Sequence, residues 1–477
     1  TNTTTNTTTN TTTNTTAHES SSSDYSRCLW DIEDAPTRST SSCRNSFSRL
    51  ATSEVISELQ ELDADLERIG RCSHPPQSDH HHHTETDQTS RDNSSIIERV
   101  DQNDYYPLRF IGRGAYSDVY MVTHVTTTNH TDTNDENKKE EQEQEQPESS
   151  SSCSEQVAFK SLNAKRIPTS SALLTAAMDL AMEAQILSTL QHENIITLKG
   201  VSSTLFSQSY TQHTTDEGYF LILELLTDVL SDQLVHWRKE CPSSREQLVV
   251  SSSSNANNDE QHKHNKWSSM IKKPHLPTKK LVAVDLKKMY DKMEHVALGI
   301  VKGMMYLHHE QGIILRDLKP QNVGFTKDGT VRLFDFGMAR KVADCHEDEI
   351  CGSIRYMAPE VMTGEGYSFH SDVYSFGILL YEVCSLTIPF EKELKHVASL
   401  DDFHRLLVQE PQDSSRTGGH GPMRPKLTRI GCPLTRALIE DCWQTDPTKR
   451  PSFEEIYMRI LEVIVEASLQ DASSSRQ

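Results

Sequence analysis

Hydrophobic residues follow no regular spacing over the first hundred positions of the chain. Residues 1–103 open with a Thr/Asn repeat and continue in Ser-rich stretches that contain a histidine run, His80 to His83. Such a segment buries too little apolar surface to offset the entropy lost on ordering, so we predict a disordered tail. The histidines are interpreted as part of this polar run, because no second cluster with metal-site spacing accompanies them.

One stretch of this tail has the spacing of an amphipathic helix, which we predict over residues 54–70. Gly70 is a stop signal for it. The apolar residues that recur at intervals of four and three are Val55, Leu59, Leu62, Leu66 and Ile69. Two heptads are too few for a coiled coil, and a lone helix of this length is marginal in water. Two interpretations stay open: a helix that frays, and a segment that docks on a partner or inhibits the rest of the chain.

From about residue 104 the pattern becomes that of a folded domain. Apolar strands come first, at residues 157–160 and 220–226, and helical spacing follows over residues 176–190 and 286–307. The folded pattern continues to about residue 465.

Polar stretches interrupt and end this domain. We predict disordered insertions at about residues 126–154 and 240–280, because a packed domain has no need of them. Residues 466–477 are predicted to be a second disordered tail.

Charge and cysteine content narrow the functional classes. The 477-residue chain has a formal net charge of -21, which argues against nucleic acid as the main partner. Its 10 cysteines lack the dense spacing of a secreted disulfide-rich domain, and no charged-then-apolar signal segment opens the sequence at Thr1. No apolar run reaches about 18 residues, the best being residues 376–386. We therefore expect a soluble, intracellular, cytoplasmic protein without a membrane span.

A glycine-containing turn between two predicted strands is the first candidate nucleotide contact. Gly112 and Gly114 would let the backbone approach phosphate oxygens closely, and Val119 would cover an adenine ring. The third small position of this motif is Ser117. Turns and bulges also contain Gly-x-Gly, so this segment alone does not identify a nucleotide site.

A lysine and a glutamate form the next candidate pair. The strand at 157–160 carries Ala158 and ends in Lys160, which could reach the alpha and beta phosphates. Glu183 shares a helical stripe with Leu180 and Leu187, so its carboxylate is predicted to point inward. A buried carboxylate is costly unless it is paired. We predict an ion pair between Lys160 and Glu183.

The most specific motifs lie in the second half of the chain. Residues 313–322 read Ile-Ile-Leu-Arg-Asp-Leu-Lys-Pro-Gln-Asn, and residues 333–337 read Leu-Phe-Asp-Phe-Gly. Over about residues 104–465, three quarters of the chain, the sequence resembles protein kinases. The ordered set that carries this resemblance is Lys160, Glu183, Asp317, Asn322 and Asp335.

The resemblance implies an α+β, two-lobed fold that binds ATP and Mg2+. The small β-rich N-terminal lobe would span about residues 104–226 and the larger helical C-terminal lobe about residues 227–465. Asp317 would orient the substrate hydroxyl and accept its proton, and Lys319 would neutralise charge on the moving phosphoryl group.

The resemblance also assigns the metal ligands and the contacts to adenine. Asn322 and Asp335 would hold magnesium. Leu223 would guard the back of the nucleotide pocket, and Glu224 and Leu226 would belong to the segment that hydrogen-bonds adenine.

Further motifs resemble the scaffold of kinases. Residues 352–360, Gly-Ser-Ile-Arg-Tyr-Met-Ala-Pro-Glu, are similar to the end of an activation segment. On this resemblance Glu360 would pair with Arg450, and Asp372 would brace the catalytic loop through backbone hydrogen bonds.

Two details resemble one group of kinases. The Arg-Tyr-Met triplet and the Cys442-Trp443 pair are similar to the tyrosine-kinase-like group of serine/threonine kinases. Lys319 with Asn322, and Ser353 in the substrate-facing loop, are typical of enzymes that act on Ser and Thr.

The sequence departs from the kinase pattern at three places. Leu315 stands where a histidine usually precedes Arg-Asp, so we expect slower turnover. Gly324 stands where a bulky residue normally lies under adenine, so nucleotide affinity is expected to be weaker unless Phe325 and its neighbours fill the gap. Residues 338–352 contain no Ser, Thr or Tyr but four acids, and we hypothesise that one of these carboxylates pairs with Arg316 in place of a phosphate.

The sequence is therefore interpreted as a kinase that transfers the gamma phosphate of ATP to Ser or Thr of protein substrates. An alternative is a catalytically weak nucleotide-binding scaffold that signals through partner binding, which Leu315 and Gly324 suggest. Retention of all five functional positions favours the enzyme, since a scaffold has no need of them together.

Overall fold

The computed structural model describes eight stretches of the chain. They are residues 53–67, 97–124, 155–163, 165–211, 218–241, 286–346, 349–408 and 422–474. The predicted insertion at 126–154 and the histidine run lie outside them, as does almost all of the insertion at 240–280.

A six-stranded sheet with the order β1-β5-β6-β4-β3-β2 forms the N-terminal lobe. Its strands are Glu98–Val100 (β1), Tyr105–Arg113 (β2), Ser117–His124 (β3), Gln156–Leu162 (β4), Leu198–Ser202 (β5) and Phe220–Leu223 (β6). The pairing of β1 with β5 is parallel, and the other pairs are antiparallel. Lys160 of β4 pairs with Val119 of β3 and with Leu221 of β6, so the sheet holds its backbone on both sides.

Three helices accompany this sheet: Ser53–Leu66 (α1), Ser170–Thr189 (α2) and Phe206–Thr211 (α3). Helix α2 begins where the Thr169 hydroxyl accepts a hydrogen bond from the backbone N–H of Ala172 at 3.2 Å. Helix α1, which corresponds to the amphipathic stretch in the sequence, packs on α2 and α3.

The C-terminal lobe is helical. Its helices are Leu230–Glu240 (α4), Leu286–Lys292 (α5), Leu298–Met305 (α6), Pro359–Met362 (α7), Phe369–Ser385 (α8), Leu400–Val408 (α9), Pro433–Cys442 (α10) and Phe453–Ser474 (α11). The π-helical segments Met293–Ala297 and Tyr306–Glu310 join and extend α5 and α6 into one long helical stretch. In α8 every residue from 371 to 385 is buried, which accounts for the apolar run in the sequence.

Short strands carry the polar loops between the lobes. Asp228–Val229 (β7), Val323–Phe325 (β9) and Val331–Leu333 (β10) form one sheet, and Ile313–Ile314 (β8) pairs with Arg340–Lys341 (β11). Residues 315–322 follow β8 directly and residues 334–337 follow β10. The two sheets therefore deliver both kinase-like loops to the same region.

The structure moves two boundaries that the sequence suggested. The N-terminal lobe starts before residue 104, since Glu98–Val100 joins the sheet and α1 packs beside it. A three-residue strand in which only Val100 is buried carries no alternating pattern, so the sequence does not predict it. The last helix continues to Ser474, into the predicted tail at 466–477. Among the described residues, no helix combines the length and apolar content needed to cross a bilayer.

Candidate active site

Lys160 lies at the centre of the cleft and contacts two carboxylates. Its Nζ donates to Glu183 Oε2 at 2.6 Å and to Asp335 Oδ1 at 2.8 Å. The Glu183 side chain is 2% exposed, whereas that of Asp335 is 45% exposed. The predicted pair of Lys160 with Glu183 is confirmed. It joins the sheet to α2 and, through Asp335, to the C-terminal lobe.

Burial and charge act together on the pKa values of this triad. Burial alone would lower the pKa of Lys160, but Asp335 and Glu183 raise it above its ordinary value. Burial raises the pKa of Glu183, and the Lys160 ammonium opposes this rise. Lys160 also holds the pKa of Asp335 below its usual range. Lys160 is therefore a cation at neutral pH, and Asp335 is an anion that faces the cleft.

Asp317 is the centre of a second cluster. Its Oδ1 accepts a hydrogen bond from the backbone N–H of Ser353 at 2.9 Å, and its Oδ2 lies 3.0 Å from Lys319 Nζ. Lys319 Nζ also donates to Ser353 Oγ at 2.9 Å, and Asn322 Nδ2 donates to Asp317 Oδ2 at 3.1 Å. Asp317, Lys319 and Asn322 are thus brought together as predicted, with Ser353 as a fourth member.

The loop that presents Asp317 is held from below by Asp372. The two carboxylate oxygens of Asp372 accept from the backbone N–H groups of Leu315 at 2.8 Å and Arg316 at 2.9 Å. His308 Nε2 contacts the same carboxylate at 2.9 Å. Arg316 has a φ of 70°, in the left-handed region that non-glycine residues rarely adopt. The predicted brace is confirmed, and it holds a strained backbone next to the candidate base.

A second predicted scaffold contact is also present. Arg450 Nη1 and Nη2 donate to the carboxylate of Glu360 at 2.6 and 2.8 Å, and the Arg450 side chain is fully buried. A bidentate, buried pair of this kind fixes the end of the 352–360 segment against the helical lobe. The predicted pair of Glu360 with Arg450 is confirmed.

The residues predicted to contact adenine line the joint between the lobes. Ala158 of β4 pairs directly with Leu223 of β6, and Leu223 is 5% exposed. The Glu224 side chain turns away and accepts from Arg332 at 2.9 and 3.1 Å, and its backbone N–H donates to the Thr197 carbonyl at 2.9 Å, so its own carbonyl oxygen is the group left for a ligand.

Gly324 does not leave a gap. A Cβ built at this position would lie 2.5 Å from Leu226 Cδ1 and 3.3 Å from Phe334 Cε1. Leu226 and Phe334 therefore occupy the space that a larger residue would take. We expected Phe325 and its neighbours to fill this space, but Leu226 and Phe334 fill it instead. Leu226, from the linker between the lobes, supplies the apolar surface that Gly324 lacks.

The glycine turn is held by an arginine that the sequence did not indicate. Arg166 Nη1 donates to the carbonyl oxygen of Gly114 at 2.6 Å, and its Nη2 donates to that of Ser117 at 2.6 Å and to Asp118 Oδ1 at 2.7 Å. The backbone N–H of Gly114 donates to the Ser117 carbonyl at 2.8 Å. A Cβ at residue 114 would lie 2.6 Å from Ser117 Oγ, so a larger residue here would force the Ser117 hydroxyl to move.

The side chains beside the cleft fit a magnesium ion bound with phosphates. Asp335 presents a partly exposed carboxylate, and the engaged amide nitrogen of Asn322 leaves its amide oxygen as the ligand atom. Mg2+ is usually held by one or two protein groups and completes its shell with phosphates and water. Among the described residues no group of three or more His, Cys, Asp or Glu side chains is placed to hold a metal ion.

Comparison with known proteins agrees with this geometry. The family model of the protein kinase domain matches residues 267–459. Serine/threonine-protein kinase 12 of Arabidopsis thaliana is 36% identical over 176 residues, 35% of this chain and 35% of that protein. Dual specificity protein kinase shkE of Dictyostelium discoideum is 32% identical over 185 residues, 38% of this chain and 24% of that protein. A mitogen-activated protein kinase kinase kinase of Drosophila melanogaster is 33% identical over 181 residues, 36% of this chain and 14% of that protein.

Residues 267–459 are therefore similar to a protein kinase domain. The α+β, two-lobed fold predicted from the kinase-like motifs is confirmed by the family match and by the β-sheet and helical lobes. The chain spans about a third or less of the length of these curated relatives. Because the family match begins at residue 267, the placement of Lys160 and Glu183 in the candidate site rests on their geometry.

We predict that Arg166→Ala raises the KM for ATP about tenfold, because several charged hydrogen bonds to the glycine turn are lost. The turnover rate at saturating ATP should change less than twofold, since Arg166 lies away from the Asp317 cluster. Steady-state kinetics at varied ATP would measure both effects, with the exposed Lys165→Ala as the matched control. A lowered rate with an unchanged KM would contradict this role.

Proposed function

We propose that this chain is a protein kinase that transfers the gamma phosphate of ATP to Ser or Thr hydroxyls of protein substrates. The observation that carries the proposal is the simultaneous presence of two assembled clusters. Lys160 contacts Glu183 and Asp335, and Asp317 lies within hydrogen-bond reach of Lys319 and Asn322. Positioning and charge stabilisation are the main contributions that phosphoryl transfer needs from a protein.

In this proposal Asp317 accepts the proton of the substrate hydroxyl. Its two oxygens are oriented by the Ser353 N–H and by Lys319, so the carboxylate cannot rotate freely. Lys319 is placed to offset negative charge on the transferred group, and Lys160 to hold the alpha and beta phosphates. Mg2+, held by Asp335 and Asn322, would neutralise the charge of the phosphates.

Specificity for Ser and Thr is supported by the contact of Lys319 Nζ with Ser353 Oγ at 2.9 Å. This contact places the substrate-facing loop directly beside the candidate base. The names of the relatives include serine/threonine-protein and dual specificity protein kinases. Membership of the tyrosine-kinase-like group is part of the same proposal, and rests on the Arg-Tyr-Met triplet and Cys442-Trp443.

Leu315 and Gly324, the two departures that suggested the scaffold alternative, do not favour it once their surroundings are considered. Leu315 is 1% exposed and Phe336 is fully buried in the same core, so the motif that contains Asp335 is packed without the usual histidine. The space beside Gly324 is filled by Leu226. Neither departure leaves a visible defect in the nucleotide cleft.

We also propose that Glu349 takes the place of an activating phosphate. Arg316 Nη1 and Nη2 donate to its two carboxylate oxygens, each at 2.7 Å, and the Arg316 side chain is 1% exposed. Arg316 holds the pKa of Glu349 below its usual range, so this carboxylate is an anion at neutral pH. The arginine guanidinium also lies over the Tyr367 ring, 4.6 Å from its centroid. Of the other three acids in residues 338–352, Asp344 is described and is not part of this pair, and Glu347 and Asp348 lie outside the described residues.

We predict that Glu349→Gln lowers the transfer rate about tenfold, because a bidentate charged pair becomes a single weaker hydrogen bond beside Asp317. Treatment of the wild-type chain with a phosphatase should leave its rate unchanged. Initial rates of the wild type, Glu349→Gln and the exposed control Asp344→Asn would measure the first effect. Initial rates of the wild type with and without phosphatase treatment would measure the second. Loss of most activity after phosphatase treatment would contradict the proposal.

The proposed activity is tested by labelled phosphate transfer from ATP with Mg2+ to a generic basic protein. We expect label on Ser or Thr after acid hydrolysis, and no transfer when a chelator removes the metal. Label on Tyr alone would overturn the assigned specificity. Magnesium-dependent ATP binding without transfer to any of several protein substrates would favour the scaffold.

We place this activity in the cytoplasm, where ATP and reduced thiols coexist. The cysteines of the described residues are all free. Burial also raises the pKa of the Cys351 thiol, which keeps it protonated and unreactive beside Arg316.

A further inference from the structure

We propose that helix α1 is a positioning element for phosphoryl transfer. It holds helix α2, which carries Glu183, against the sheet that carries Lys160. The inference rests on the proposed kinase activity and goes beyond it. It assigns a role to a segment more than thirty residues ahead of β1, outside the family match at residues 267–459.

The apolar face of α1 is packed into the protein. Val55, Leu59 and Leu66 are 6%, 0% and 1% exposed and belong to the same core as the apolar residues of α2. A helix of this length is marginal by itself, so its stability comes from this packing. The fraying helix that the sequence left open is therefore not what the structure shows.

Helix α2 is covered on a second side, away from the sheet. Ala177 and Ala181 are both 0% exposed, although they lie about 120° and 160° around the helix from Glu183. Glu183 faces Lys160 of the sheet, so the sheet cannot be what covers these alanines. Among the described elements, α1 makes the most extensive contact with α2. Small side chains at this position let the two helices approach closely.

The C-terminal half of α1 is fixed to α3 through the buried carboxylate of Asp63. Asp63 is 4% exposed, and its two oxygens accept hydrogen bonds from the backbone N–H groups of Phe206 at 2.7 Å and Ser207 at 2.9 Å. Both N–H groups belong to the first turn of α3. Arg99 Nη2 donates to the Leu66 carbonyl at 3.2 Å, which ties the end of α1 to β1.

From α3 the contact continues to the strand pair that holds Lys160. The Phe206 ring stacks on Tyr219, with centroids 3.9 Å apart and planes inclined by 20°. Tyr219 immediately precedes β6, in which Leu221 pairs with Lys160 of β4. Helix α1 therefore contacts α2, which carries Glu183, and α3, which leads to the strand beside Lys160.

This double contact favours a supporting role over an inhibitory one. With α1 docked, Lys160 Nζ lies 2.6 Å from Glu183 Oε2, the arrangement required for phosphoryl transfer. An inhibitory helix on α2 would instead hold Glu183 away from Lys160. Loss of the α1 contacts is expected to let α2 move and open the ion pair.

The test uses Asp63→Ala in the full chain, with transfer measured at varied ATP. We expect the turnover rate to fall about tenfold, because the Phe206 and Ser207 N–H groups lose their hydrogen bonds to the Asp63 carboxylate. Asp63→Asn, which keeps one acceptor oxygen, should restore part of that rate. The matched control is Glu61→Ala, an exposed acidic residue on the same helix, for which we expect less than a twofold change.

A double-mutant cycle separates positioning from general stability. If α1 acts through the ion pair, Asp63→Ala should lower the rate less than twofold further in a Glu183→Gln chain. The same tenfold loss in both backgrounds would overturn the inference, as would a lowered melting temperature with an unchanged rate.

A readout that needs no catalysis keeps this inference distinct from the proposed function. If the wild-type chain transfers no phosphate, the proposed function fails, and amide hydrogen exchange in α2 then tests α1 alone. Faster exchange of α2 in Asp63→Ala than in Glu61→Ala supports the contact. Equal exchange in the two variants overturns it.

Discussion

An Asp317→Asn chain is expected to lose phosphoryl transfer by about a thousandfold, because the amide cannot accept the proton of the substrate hydroxyl. The substitution is nearly isosteric, and one oxygen can still accept from the Ser353 N–H. The affinity for ATP with Mg2+ should change little, because Lys160, Asp335 and the glycine turn are untouched. Transfer of labelled phosphate and equilibrium binding of a nucleotide would measure the two quantities on the same preparation.

The matched control for this experiment is Asp401→Asn, an exposed aspartate at the start of α9. It changes the net charge by the same amount at a distance from the cleft, so its transfer rate should equal that of the wild type. Asp317→Asn that still produced the downstream output of the chain in cells would show that the output depends on binding. That result would favour the scaffold over the enzyme.

Residues whose chemistry requires a particular partner or a particular motif could be predicted from the sequence. Glu183 lies on the buried stripe of a helix, and a carboxylate there needs a cation, so periodicity and electrostatics predict a cationic partner, which the kinase-like strand at 157–160 supplies as Lys160. Asp317, Asn322 and Asp335 lie in segments whose order is specific to kinases, and the structure brings them to one cleft.

Residues whose role depends on a meeting of distant loops could not be predicted. Arg166 lies in a polar turn with no periodic pattern, and only the fold brings its guanidinium to the carbonyls of Gly114 and Ser117. Glu349 is one of several acids near Arg316, and the sequence contains no signal that selects it. Asp63 reads as an ordinary charge on the flank of a helix, because its partners are backbone N–H groups 143 and 144 positions away.

The last prediction separates the stability of the ion pair from its catalytic role. Lys160→Met should lower the transfer rate about a hundredfold, because a preorganised cation beside the phosphates is removed. It should also lower the free energy of unfolding by about 3 kcal/mol, since Glu183 is left as a buried carboxylate without its partner. Asp335 also loses a contact, but its side chain is 45% exposed and water can solvate it.

Adding Glu183→Gln to Lys160→Met should recover most of the lost stability without recovering transfer. The neutral amide removes the buried charge and can still accept the hydrogen bond that the backbone N–H of Phe336 donates to this side chain. Denaturant unfolding and labelled transfer would be measured on the wild type, both single variants and the double variant, with the exposed Lys165→Met as control. A double variant as unstable as Lys160→Met would show that the buried charge is not the cause of the loss. A double variant that regained transfer would show that Lys160 serves the fold and not the phosphates.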